Sequence, residues 1–232
     1  MNGLLTFDQL PTSFVQSVRE RSRTDAEKDA WRMARLGKIT GSRFAQVKRT
    51  TKGEWGETAQ SYLFELASEW LTGQSAYAFN SRATDWGIEH EPEALELYAK
   101  TTGVELQPGR FFQADGLRFV GSTPDGLIGD HGIVEAKCPL MPKNHLRTVI
   151  NREVPEEYRD QVTGHMLVTG RKWCDFISYD PRIPNEKHRL VIVRVERDER
   201  QISALFERLS QFEQELLTLL DELGVDFEKK GG

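Results

Sequence analysis

Ile133-Val134-Glu135-Ala136-Lys137-Cys138 is a short β-branched run in which apolar and charged residues alternate. Side chains along a strand point to opposite faces in turn, so Glu135 and Lys137 share one face while Val134, Ala136 and Cys138 share the other. Opposite charges two residues apart on one strand face are either a solvent-exposed pair or the floor of a polar site. Nine residues upstream of the run lie Pro124-Asp125-Gly126, between two strand signals. Asp-Gly by itself is an ordinary turn. If the two strands are neighbours, as consecutive strands usually are, Asp125 approaches Glu135.

Working outward, strand signals recur at 110–114, 117–121, 133–138, 174–179 and 190–195, separated by Asp-Gly and Pro punctuation. Helical signals cover 25–36 by composition, which Gly37 would stop, then 57–72, 86–100 and 202–220 by apolar periodicity, and 156–168 as a helix opened by Pro155. In the third of these, Ile88, Leu95 and Tyr98 fall on one side, and Glu91 falls with them. Pro92 fits if it lies in the first turn or kinks the helix. A carboxylate on an inward face costs several kcal/mol in desolvation unless it finds a partner or a metal. The pattern predicts an α/β fold with a central mixed β-sheet flanked by α-helices.

The chain has 232 residues, 38% of them hydrophobic, which suffices for a core without disulfides. No linker or repeat divides it, so one domain over 1–232 is expected, with 1–30 unassigned. The two cysteines, Cys138 and Cys174, each read as strand residues, against a disulfide scaffold or a four-cysteine metal site. No apolar run approaches the length of a membrane span, and a soluble, cytoplasmic protein is expected.

The formal net charge of −5 argues against nucleic acid, but eleven Lys or Arg against four acids from Arg19 to Lys52 give that segment +7, leaving −12 for the rest. A basic face on an otherwise acidic protein suits one polyanion-binding surface. A solvated helical face is the plainer alternative.

Carboxylates gathered together repel one another unless a cation neutralises them, and all-oxygen sites favour Mg²⁺ or Mn²⁺ over Zn²⁺. Such an ion polarises a phosphoryl oxygen and lowers the pKa of an attacking water, while an adjacent lysine positions that water or offsets developing charge. Asp125, Glu135 and Lys137 would supply those parts, with Glu91 completing the cluster. Read singly, Ser42 is a helix cap, Arg35 a surface charge, and Trp31, Trp86 and Trp173 core aromatics. His90 and His165 read as structural. His90-Glu91-Pro92-Glu93-Ala94 lacks the second histidine of a zinc-protease helix.

Pro124-Asp125 with Glu135-Ala136-Lys137 resembles the Pro-Asp…Glu-X-Lys signature of restriction-endonuclease-like nucleases. A longer series is similar to the phage lambda exonuclease, or YqaJ-type viral recombinase, family: Trp31, 35–42 (Arg-Leu-Gly-Lys-Ile-Thr-Gly-Ser), 86–91 (Trp-Gly-Ile-Glu-His-Glu), 122–127 (Ser-Thr-Pro-Asp-Gly-Leu), 135–139, Gln161-Val162 and 179–182 (Tyr-Asp-Pro-Arg). The resemblance implies a restriction-endonuclease-like core and a 5′-to-3′ exodeoxyribonuclease acting on linear duplex DNA. A homotrimeric ring would release 5′-mononucleotides and leave a 3′ strand for a single-strand annealing protein, in a phage or prophage setting. It further implies that Asp125, Glu135, Glu91 and the Ala136 carbonyl bind two Mg²⁺ ions, replaceable by Mn²⁺, and that Lys137 assists the water. Arg35, Ser42, Thr123 and Gln161 would hold a terminal 5′-phosphate. Relatives often carry an aromatic four residues after the glutamine, where this chain has His165. A restriction-like or repair endonuclease, or a catalytically silent DNA-end-binding module, are the competing readings.

Overall fold

In a computed structural model, residues 33–75 and 81–225 are described. The elements run β1 (Ile39–Thr40), a 3-10 helix (Gly41–Gln46), α1 (Glu57–Thr72), α2 (Arg82–Thr102), β2 (Leu106–Pro108), β3 (Phe112–Gln113), β4 (Val120–Ser122), β5 (Gly126–Ile128), β6 (Gly132–Lys137), α3 (Pro142–Asn151), α4 (Glu156–Thr169), β7 (Trp173–Tyr179), α5 (Glu186–Arg189), β8 (Leu190–Glu196) and α6 (Glu199–Glu222). Five strands form a mixed sheet in the order β2-β5-β6-β7-β8, in which only the β6–β7 pair is parallel; β1, β4 and β3 make a separate small sheet. This is the expected α/β architecture.

The alternation in β6 decides how the layers sit. Val134, Ala136 and Cys138 pack with Ala94, Leu95 and Tyr98 of α2, while Ile133 packs on the other face with Val162 and Met166 of α4. One strand therefore serves two cores, and its α4-facing side carries Glu135 and Lys137. A third cluster joins Phe44, α1 and the inward stripe of α6, Leu205, Leu209, Phe212 and Leu216. Gly164 in α4 lets the 3-10 helix approach, because a Cβ there would stand 2.2 Å from the Phe44 ring.

Several boundaries differ from the sequence reading. The strand expected at 117–121 lies in the small sheet and is not the neighbour of β6; that neighbour is β5, three residues long and hidden in the Asp-Gly turn signal. Helix α2 starts earlier than expected, because the Ser81 hydroxyl accepts the Thr84 N–H and caps it. Pro92 consequently stands in mid-helix, not in the first turn. It leaves the Ile88 carbonyl without its usual donor, and Ile88 is 59% exposed, so water can replace that bond; Ile88 does not share the buried face of Leu95 and Tyr98. The helix expected over 25–36, Trp31 and much of the basic segment lie outside the described residues, apart from a helical turn at 33–35.

Arg182 ties the loops at one end of the sheet. Its guanidinium pairs with buried Asp180 at 2.8 Å, donates to the carbonyls of Pro139 and Leu140 just beyond β6, and lies 4.4 Å from the Trp86 ring of α2.

Candidate active site

Asp125 precedes β5, and its backbone N–H donates to the Val134 carbonyl at 3.1 Å, extending the β5–β6 ladder by one rung. That rung places the Asp125 carboxylate where Oδ2 accepts the Ala136 N–H at 2.8 Å. Glu135, only 1% exposed, accepts three side-chain hydrogen bonds: Lys137 Nζ and Gln161 Nε2 both reach Oε1 at 2.6 Å, and His165 Nε2 reaches Oε2 at 2.7 Å. Gln161 and His165 stand one turn apart on α4, which packs on this face of β6. The three residues expected to converge, Asp125, Glu135 and Lys137, do meet.

Burial, then the neighbouring carboxylates of Glu135 and Glu91, push Asp125 well above the ordinary aspartate range. Burial would raise Glu135 as well, but Lys137 and His165 outweigh it and hold Glu135 below the usual range. Lys137 resists the desolvation that would lower it, because Glu135 and Asp125 raise it further; it is an ammonium. Glu91 is close enough to act on both Asp125 and Cys138, and burial followed by these acids pushes the Cys138 thiol up to about 12.

Among the described residues, no three His, Cys, Asp or Glu side chains stand arranged to hold a metal ion as they are, since Glu135 is turned to its three donors. The donor set nevertheless fits a hard divalent cation in kind. The carboxylates of Asp125, Glu135 and Glu91 act on one another, and after burial it is the other two that push Asp125 above its ordinary range. Asp125, Glu135, Glu91 and the Ala136 carbonyl are the oxygen donors that could hold it.

The residues expected to bind a 5′-phosphate are placed less uniformly. Thr123, two residues before Asp125, has a buried hydroxyl with no hydrogen-bond partner, as a group awaiting a ligand would have. Ser42 is exposed on the 3-10 helix and lines a cavity of about 450 Å³ with Lys48, Arg49 and Tyr158; the cap of that helix is Thr40. Arg35 lies in the field of Tyr62, whose hydroxyl accepts the Thr40 N–H. Gln161 spends its amide on Glu135.

Residues 30–172, more than half of the chain, match the model of the YqaJ-like viral recombinase domain. The chain belongs to the YqaJ-like viral recombinase family. An alkaline exonuclease from Laribacter hongkongensis superposes on it with a TM-score of 0.78 and 33% identity, over 88% of this chain and all of that one. The same exonuclease in complex with dAMP gives 34% identity and the same TM-score over the same extents. A phage-related exonuclease from Haemophilus somnus 129PT, 18% identical over 80% of this chain and 96% of its own, shares the fold with a TM-score of 0.64. No curated protein matches the chain.

Sequence reasoning missed two members of this YqaJ-like site. His165, read as structural, is in direct contact with Glu135, and Ser122, quoted only as part of a motif, hydrogen-bonds the other nitrogen of His165 at 2.6 Å. A polar residue four positions after Gln161 stands one helical turn along the same face, and that spacing was the available signal. A second cavity of about 280 Å³ opens beside Lys137, between α3 and the start of α4.

Proposed function

We propose that the chain is a Mg²⁺-dependent exonuclease that degrades one strand of linear duplex DNA in the 5′-to-3′ direction, with Asp125, Glu135, Glu91 and the Ala136 carbonyl as metal ligands. The observation that carries this reading is the meeting of Asp125, Glu135 and Lys137 at the β5–β6 junction: one carboxylate on the Ala136 N–H at 2.8 Å, the other on the lysine at 2.6 Å. The name of the Laribacter relative, an alkaline exonuclease 33% identical to this chain, supports it. A pair of bound Mg²⁺ ions, or Mn²⁺ in their place, would activate water and stabilise the leaving 3′ oxygen.

The chain's own residues supply the rest. Lys137, an ammonium wedged against Glu135, donates to the attacking water and to charge developing on the phosphoryl oxygens. Thr123 and Ser42 offer hydroxyls, and Arg35 a guanidinium suited to a terminal 5′-phosphate. Gln161 restrains Glu135 through its amide, and in this reading it also takes part in holding that phosphate. Release of 5′-mononucleotides, a homotrimeric ring on the duplex and hand-over of the 3′ strand to an annealing protein complete the reading.

Digestion of a linear duplex carrying one 5′-phosphorylated end, with Mg²⁺ and then with EDTA, tests it. Mononucleotides released from the phosphorylated strand only when metal is present are expected. Release in EDTA, release from 3′ ends, or cutting of covalently closed circles would refute it.

A further inference from the structure

Resting on the metal-nuclease reading, we infer that His165 is a positioning residue that fixes the carboxylate of Glu135, and that Ser122 holds His165 in place to do so, in space that Gly41 leaves open. A carboxylate can only accept, so His165 Nε2 donates its proton to Glu135 Oε2 at 2.7 Å. That leaves Nδ1 to accept from the Ser122 hydroxyl at 2.6 Å, a tautomer assigned from the network. The three groups form one directed chain from β4 through α4 to β6.

The other two donors to Glu135 are long, rotatable side chains, and both meet Oε1. Among the described residues the bond from His165 is the one recorded on Oε2, and it comes from a ring that is 1% exposed beside a serine with no exposure. Removing it would leave the carboxylate free to pivot about the Oε1 contacts. Gly41 leaves the room this pair needs: a Cβ there would stand 2.2 Å from Ser122 Oγ and 3.5 Å from His165 Cε1. The turn that precedes Ser42 therefore packs directly on the chain that orients Glu135. Hydrogen bonds of this kind to a metal-binding carboxylate are worth roughly 10–100-fold in metal affinity.

Titration of the DNA-free protein with Mn²⁺ by calorimetry decides the matter without reference to turnover. His165→Leu, which fills the space but has no N–H, is expected to weaken Mn²⁺ binding by about 10–100-fold. His165→Gln, which can still present an N–H to Glu135, should recover most of that loss. Ser122→Ala and Gly41→Ala should each weaken binding to a lesser degree. Wild-type affinity in His165→Leu, or equal losses in the Leu and Gln variants, would overturn the inference, the latter because packing alone would then be at stake. Should His165→Leu fail to fold, unchanged affinity in both Ser122→Ala and Gly41→Ala overturns it equally. A wild-type protein that binds no Mn²⁺ would instead sink the metal-nuclease reading itself, and this inference with it.

Discussion

Two buried carboxylates sit one position apart in register on adjacent strands, Glu135 on β6 and Asp175 on β7, and they are treated in opposite ways. Asp175, 2% exposed on the α2 face, is paired by both arms of Arg194 at 2.7 and 2.8 Å and accepts the Tyr98 hydroxyl at 2.6 Å. One negative charge meets one positive charge, and the Trp173 ring lies 3.6 Å from the guanidinium. Glu135, on the α4 face, has one lysine, while Asp125 and Glu91 crowd the same neighbourhood. The first arrangement is complete as it stands. The second sets carboxylates against one another, which raises Asp125, and we propose that a divalent cation relieves that repulsion.

The largest effect expected of this contrast is on chemistry. Lys137→Ala should lower mononucleotide release by at least about 100-fold, the scale on which a positioned donor to a developing oxyanion acts. Binding to DNA ends in Ca²⁺ should survive; unimpaired turnover, followed with a labelled 5′ strand, would remove the lysine from the mechanism. On the other face, Arg194→Ala strands Asp175 with the Tyr98 hydroxyl alone. Because Arg194 is half-exposed, the loss should be about 2 kcal/mol in urea denaturation, below that of a fully enclosed pair. Mn²⁺ affinity should not change, and a shift there would erase the distinction between the two clusters.

The sharpest form of the comparison is a substitution expected to stabilise. The Asp125 carboxyl is pushed up by burial and by two acids, so its ionised form at neutral pH disfavours folding of the metal-free protein. Asp125→Asn should therefore raise the metal-free Tm by about 2–4 °C, the shift that ~1 kcal/mol produces at this chain length. It should also abolish the further rise that Mg²⁺ gives the wild type. A lowered Tm in differential scanning calorimetry would show that ionised Asp125 does not oppose folding.

The smallest effect concerns Asp180. Burial opposes its ionisation, but the hydrogen bonds from Arg182 outweigh it and hold the carboxyl below the ordinary value of 3.8. A depressed acid contributes stability that is whole above its unfolded value and is lost as pH falls through the folded one. Asp180→Asn should thus flatten only the acid limb of stability below about pH 4 in urea melts, with no change in slope at neutral pH.

The sequence disclosed most where one element faces two environments. The alternation from Ile133 to Cys138 separated Glu135 and Lys137 from Val134, Ala136 and Cys138, because a period of two leaves no other division; that α2 covers one face and α4 the other came only with the fold. Helices α1 and α6 were legible from their apolar spacing, and α4 from the proline that opens it. Helix α3 was not: its inward positions are His145, Thr148 and Val149, and two polar residues on the buried stripe erase the signal. His145 belongs there because Ser178 and the His188 carbonyl satisfy its two nitrogens, partners more than 30 residues away that no local pattern reveals. His165 is the milder case: its spacing from Gln161 marked its face, but its partners Glu135 and Ser122 lie far away in sequence. Strand β5 escaped because three residues are too few to show a period.

We propose that the carboxylates at the β5–β6 junction hold a divalent cation. Anomalous scattering from a crystal soaked in Mn²⁺ tests it most directly. A peak bonded to the carboxylates of Asp125 and Glu135, with the Ala136 carbonyl and Glu91 around it, is expected. Full Mn²⁺ occupancy elsewhere, with Asp125 and Glu135 still bonded only to protein donors, would contradict it.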